Sequence, residues 1–154
     1  MIASLLHPIF LQFLLPAEGP MNERLFKRSL NSLEAVFDFI EEILSRDGIA
    51  GKTALELQLA VEEVFANSVE HNSGSTGSIA IALEKRGEAV LIRILDYDVE
   101  DFDVSRPPNV DTRAPLEERR AGGLGLHLIH TLMDQVRYTH KNRISTITLV
   151  KYIK

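Results

Sequence analysis

The chain has 154 residues, enough for one domain with a buried core, and its 45% hydrophobic and 25% charged content is ordinary for a globular protein. It has no cysteine, which excludes disulfides, thiolate zinc sites and cysteine nucleophiles. A formal net charge of −5, with no basic run longer than two residues, gives no electrostatic basis for direct nucleic-acid binding.

Residues 1–20 (MIASLLHPIFLQFLLPAEGP) are apolar, but they lack a basic leading segment and are interrupted by Pro8, Gln12 and Pro16. The apolar run is shorter than the ~20 residues a membrane-spanning helix needs. They are expected to be an appendage on the domain surface or at a dimer contact, with no membrane insertion. Met21 is a candidate alternative start, and residues 21–154 are expected to form a single domain.

From Arg24 to Leu30 the pattern predicts a short strand. Asn31 or Ser32 then caps a helix whose apolar positions Leu33, Val36, Phe37, Ile40, Ile43 and Leu44 follow helical spacing, and Asp47-Gly48 ends it. A second helix is predicted from about Lys52 to His71, followed by a turn cluster from Ser73 to Gly77. Ser78 to Lys85 and Ala89 to Leu95 read as a strand pair turning at Arg86-Gly87-Glu88. From Asp96 to Gly123 no period is sustained, a long irregular stretch of the kind that usually has a function. A third helix is predicted from Leu124 to about Asp134. A last hairpin joins Val136–His140 to Ile144–Ile153 around Lys141-Asn142. This order predicts an α+β fold, a two-layer sandwich with a mainly antiparallel sheet covered on one face by helices.

Some familiar motifs fail on spacing or context. Gly48-Ile49-Ala50-Gly51-Lys52-Thr53 resembles a phosphate-binding loop, but it lacks the four-residue glycine interval and follows a helix rather than a strand. Gly123-Leu124-Gly125 begins like a dinucleotide fingerprint, yet Leu128 occupies the third glycine position. His127, His130 and His140 have no carboxylate or cysteine partners in zinc-ligand register.

Other residues act together. Glu63, Asn67 and His71 are four apart in LAVEEVFANSVEHN. Successive members drift by only about 40° around a helix, so they share one face. Asp96 ends the apolar strand Val90–Leu95, where a carboxylate can accept a hydrogen bond from a base amino group, and Thr146 on the final strand can support it through water. Ala121-Gly122-Gly123-Leu124-Gly125 precedes a helix, where glycines let a polyphosphate approach backbone N–H groups and the positive helix end. The Asn67 amide oxygen is a hard donor suited to Mg²⁺. Glu63, one turn away, can take a proton from an attacking hydroxyl. Singly, each element has an ordinary structural reading; their order and spacing together point to a nucleotide site.

E-x-x-x-N followed by His, Asp after a strand, and G-G-L-G-L opening a helix resemble the N, G1 and G2 boxes of the GHKL (Bergerat-fold) ATPases. AVEEVFANSVEHN and APLEERRAGGLGLHLIHTLMDQVRY resemble, within that superfamily, bacterial anti-sigma factor serine/threonine kinases of the partner-switching type. The resemblance covers roughly Glu23 to Lys154. It implies that Glu63 is the general base and Asn67 the Mg²⁺ ligand, that Asp96 reads adenine with Thr146 beside it, and that Gly122, Gly123, Leu124 and Gly125 lie along the ATP phosphates. His71 matches a commonly occupied position, and Arg119 and Arg120 fall in the nucleotide lid, within reach of the γ-phosphate. Implied too are a cytoplasmic homodimer, a STAS-type anti-anti-sigma protein as phosphorylated partner and a sigma factor as the second. One departure stands out. Where the family reads D-x-G-x-G, this chain has Asp96-Tyr97-Asp98-Val99-Glu100. Asp98 is expected to take the left-handed backbone of the replaced glycine. The added negative charge opposes triphosphate binding unless these groups face solvent or pair with cations. The alternative function is therefore a non-catalytic regulatory module of the same fold with weak or no ATP binding.

Overall fold

The computed structural model describes residues 21–72, 74–101 and 123–153. Strand β1 (Asn22–Phe26) leads through a short 3-10 turn (Leu30–Ser32) into helix α1 (Leu33–Arg46) and then α2 (Gly51–His71). Strands β2 (Ile79–Arg86) and β3 (Ala89–Tyr97) follow, then helix α3 (Gly123–Leu132) and strands β4 (Gln135–Lys141) and β5 (Ile144–Tyr152). The five strands form one sheet in the order β1-β2-β3-β5-β4, with every pairing antiparallel. The α+β fold with helices over an antiparallel sheet agrees with the sequence pattern.

Alternation along each strand sends one set of side chains to the helices. Ile79, Ile81 and Leu83, with Val90, Ile92 and Ile94 and with Ile147 and Leu149, join Val36, Ile40, Leu44, Leu57, Val61, Val64 and Phe65 in one buried core. Phe26, at the end of β1, packs edge-on against Phe39 of α1 and Phe65 of α2, with ring centroids 5.8 and 6.4 Å away. It therefore ties the edge strand to both helices. A smaller cluster of Ala89, Leu91 and Val150 with Tyr152 occupies the opposite sheet face.

The ends of the elements follow local chemistry. Gly48 closes α1 at φ +74°, with Ile49 N–H bonding Leu44 O at 2.8 Å and Gly48 N–H bonding Ser45 O at 3.2 Å. This pair of bonds is the Schellman arrangement, and only glycine enters it without steric cost. The phosphate-loop look of Gly48–Thr53 is thus a helix–helix junction. The first strand differs from the expectation of Arg24–Leu30: it ends at Phe26, because Lys27 O accepts from Ser29 N at 2.8 Å and from Ser32 Oγ at 2.9 Å and turns the chain. Ser29 Oγ in turn accepts from Asn31 N at 3.2 Å, so Leu30 belongs to the 3-10 turn. Phe39, absent from the predicted helical stripe, is buried, while Phe37 is only partly so. No helix among the described residues is long and apolar enough to cross a membrane; the appendage at residues 1–20 lies outside the described residues.

Candidate active site

Helix α2 carries the polar face along the edge of the core. Around it Leu57, Ala60, Val61, Val64 and Phe65 are buried, and Asn67 and Ser68 are the polar residues buried with them. Asn67 is 6% exposed, and its Nδ2 is buried without a hydrogen-bond partner. Such an orphan is costly to leave unmade. The two ends of an amide exchange on a half-turn of the side chain, so this position can equally present oxygen to a cation.

The structure divides the predicted face between two neighbouring depressions. Glu63 points toward α3, in an open depression lined with Gly125, His127, Leu128 and Thr131. A methyl group at Gly125 would overlap the Glu63 carboxylate, so glycine there is what lets helix and carboxylate meet. Burial pushes the Glu63 carboxyl above the usual range, and the nearby carboxylates of Glu62 and Glu70 add to the shift. Lys151 holds the helices in this relation. Its Nζ donates to Glu56 Oε2 of α2 at 2.9 Å and to Leu132 O, at the end of α3, at 2.6 Å. The ammonium holds the Glu56 carboxyl below its usual range.

We predict that Gly125→Ala leaves a protein at least as thermally stable as wild type, because alanine in a helix gains up to about 1 kcal/mol over glycine. The Glu63 carboxylate must then swing aside, and any activity that depends on it should drop by about tenfold or more. Comparing melting temperature and activity in the same preparation checks this.

Asn67 and His71 face a second depression, completed by Ser68, Asn72, Asp96, Tyr138, Ser145 and Ile147. It encloses about 20 Å³, room for about one water molecule. Asp96 is 3% exposed at its floor. Its Oδ1 is ion-paired with Nη2 of Arg28, and its Oδ2 accepts from Asn72 Nδ2 at 3.1 Å. Tyr138 Oη reaches Ser145 Oγ at 3.2 Å and donates to Asp101 Oδ1 at 2.6 Å.

The residue beside Asp96 corrects the sequence expectation. Asp96 pairs with Ser145 across the sheet, whereas Thr146 pairs with Leu95 and so faces the other side. A one-residue difference in a strand exchanges the two faces. The signal is present in the sequence: Ile147 and Leu149 share the core-facing parity with Ser145. Sequence reasoning also misses Arg28, Asn72 and Tyr138. Asn72 reads locally as no more than a helix end, and nothing local marks Arg28 as a partner 68 positions from Asp96.

The segment leaving Asp96 is pinned to the β4–β5 hairpin. Asp98 lies at φ +58°, the left-handed region expected from the glycine it replaces. Its Oδ1 accepts from Arg143 Nε at 2.9 Å, in a largely exposed pair worth at most about 1 kcal/mol. Val99 N bonds Arg143 O at 2.9 Å, and His140 Nε2 lies 3.0 Å from Val99 O. Asn142 and Arg143, both with positive φ, form the two-residue hairpin turn, one position later than Lys141-Asn142. The acidic loop is therefore partly neutralised at Asp98, while Glu100 is exposed. On the other side Ser75 Oγ donates to Asp98 O at 2.9 Å.

Gly123, Leu124 and Gly125 form the first residues of α3. Gly122, Arg119 and Arg120 lie outside the described residues. His127 is exposed on α3, and among the described residues no three His, Cys, Asp or Glu side chains gather to hold a metal ion.

A partly buried carboxylate against the glycine-rich start of one helix, a buried amide one turn on, and a buried carboxylate at a strand end thus line one edge of the sandwich. Residues 26–151 match the family described as the histidine kinase-like ATPase domain. The chain belongs to the histidine kinase-like ATPase family. It is similar to the serine-protein kinase RsbW of Bacillus cereus, 31% identical over 116 residues that cover 73% of this chain and 72% of the relative. The serine-protein kinase RsbW of Listeria monocytogenes is 32% identical over 117 residues, covering 72% and 73%. Among solved structures, the RsbU and RsbW domains of Rv1364c from Mycobacterium tuberculosis superpose with a TM-score of 0.64 over 88% of this chain at 19% identity. That likeness is one of fold, and this member of the family spans 33% of that longer chain.

Proposed function

We propose that this protein is an ATP-dependent serine/threonine kinase that phosphorylates a STAS-type anti-anti-sigma protein and sequesters a sigma factor. The observation that carries the reading is the meeting of Glu63 with Gly125, which sets a carboxylate of raised proton affinity against the start of α3. In the transfer, the hydroxyl oxygen of the partner bonds to the γ-phosphorus, its proton passes to Glu63, and the bond to the bridging oxygen breaks to release ADP. In this proposal the phosphates lie at the start of α3, along Gly123, Leu124 and Gly125, where the helix end favours an anion; the phosphate role of Gly122 and the γ-phosphate role of Arg119 and Arg120 come from the family resemblance alone. Asp96 accepts from the adenine amino group, with Ser145 in the place that the sequence alone assigns to Thr146.

Asn67 fits a Mg²⁺ ligand: its amide has an unpaired buried atom and can offer oxygen. Mg²⁺ takes few protein ligands beside phosphate oxygens and waters, and a single amide suits it. When bound, the ion supplies neutralisation of the phosphate charge. His71 flanks Asn67 at the mouth of the base cleft. The STAS partner, the sigma factor, the homodimer and a cytoplasmic setting follow from the resemblance to partner-switching kinases and belong to this proposal.

A second reading, a regulatory binding module without catalysis, is favoured by the narrow cleft at Asp96 and by its already engaged carboxylate. Calorimetric titration with ATP, with and without Mg²⁺, followed by transfer of labelled phosphate to a STAS protein, separates the two. The kinase binds ATP and labels the partner. Absent binding and labelling would establish the module instead.

A further inference from the structure

Asp96 is gripped from two sides by different kinds of donor. From behind comes Arg28, in the link between β1 and the 3-10 turn. Its side chain is 5% exposed and that of Asp96 4%, and Arg28 is not among the residues lining the base cleft. Besides the Asp96 ion pair, Nη2 donates to Tyr97 O at 3.2 Å and Nη1 to Ser68 O at 3.1 Å. The planar guanidinium is thus fixed by acceptors from both α2 and β3, and it fixes the carboxylate in turn. From the front, within the cleft, the neutral Asn72 amide donates to Oδ2.

We propose that Arg28 is a positioning residue for base recognition, holding the Asp96 carboxylate aimed so that Oδ2 faces the cleft, with Asn72 donating there until an exocyclic amino group of the base replaces it. This rests on the reading of Asp96 as the base-contacting carboxylate. A buried carboxylate without its cation turns toward another donor. An ionised carboxylate is an acceptor only, and so is matched to an amino group. Once turned, it no longer presents that acceptor to the amino group. Arg28 therefore governs how much the amino group contributes to binding, not merely how stable the domain is.

The test compares the affinity of the full chain for ATP and for purine riboside triphosphate, which lacks the 6-amino group. Wild type should prefer ATP by roughly 10- to 100-fold, the range for one hydrogen bond to a charged group. Arg28→Met should bring the ratio close to one. Arg28→Lys, which keeps the buried charge but not the fork, should lower it by a smaller factor and serves if the methionine variant fails to fold. A purely structural Arg28 would lower the melting temperature and leave the ratio intact, which overturns the proposal. Asp96→Asn separates the underlying reading. If it abolishes the preference while both Arg28 variants keep it, only the role of Arg28 falls. If wild type shows no preference, or Asp96→Asn retains it, the base-contact reading falls as well.

Discussion

Replacing Asn67 with alanine is expected to abolish Mg²⁺-dependent ATP binding while the protein stays folded. A buried asparagine is normally held by hydrogen bonds whose loss costs stability. Asn67 Nδ2 has none, so the substitution removes an unmet polar atom from the interior. Alanine is also the better helix former in the C-terminal part of α2, by several tenths of a kcal/mol. These gains offset the small sacrifice of dispersion attraction around the amide, and the melting temperature should hold or rise. What disappears is the amide oxygen at the edge of the cleft, and with it the proposed direct ligand to Mg²⁺. Titrating the variant with ATP in the presence and absence of Mg²⁺ should give the same weak affinity in both cases. Tight, Mg²⁺-dependent binding would remove Asn67 from this role.

The division between legible and hidden features follows the range of the interactions. The α1 stripe, the alternation in β2, β3 and β5, and the glycine at the end of α1 are written in local spacing, and each element lies within a few residues of its expected position. The alignment of Glu63, Asn67 and His71 along α2 is local too, although packing divides them, with Glu63 in the depression beside α3 and Asn67 and His71 in the one at Asp96. The left-handed backbone of Asp98 is legible because few residues besides glycine tolerate it. Hidden features depend on register and on distant partners. Ser145 rather than Thr146 lies beside Asp96 because one residue decides the face of a strand. Arg28 reaches Asp96 only after β1 has joined the sheet edge and α2 has packed over it. No composition or period reports such a contact. Arg143, an unfavoured residue in a positive-φ turn, makes sense only once Asp98 and Val99 are seen bound to it.

Glu63→Gln should keep ATP binding and lose phosphotransfer by about 10²- to 10⁴-fold, the usual contribution of a positioned base. Glutamine preserves shape but cannot accept the proton. The same substitution carries a stability signature that does not depend on any partner. Because burial and the charges of Glu62 and Glu70 raise the Glu63 pKa in the folded state, the native protein holds this proton more tightly than the unfolded chain. Well below the unfolded value of about 4.3, the group is neutral in both states and contributes nothing. As pH climbs past that value, the unfolded chain releases the proton first. Ionised Glu63 then costs stability, in full once pH exceeds the raised folded value. Glutamine removes that cost, so the variant should melt at a higher temperature than wild type at pH 8 and at the same temperature near pH 3. In wild type the transfer rate should fall on the acid side with a midpoint above the ordinary glutamate range. Undiminished labelling of a STAS partner by Glu63→Gln would dismiss Glu63 as the base. A melting difference independent of pH would show that its carboxylate is not held in a desolvated place, and the raised proton affinity that suits it to the task would go with it.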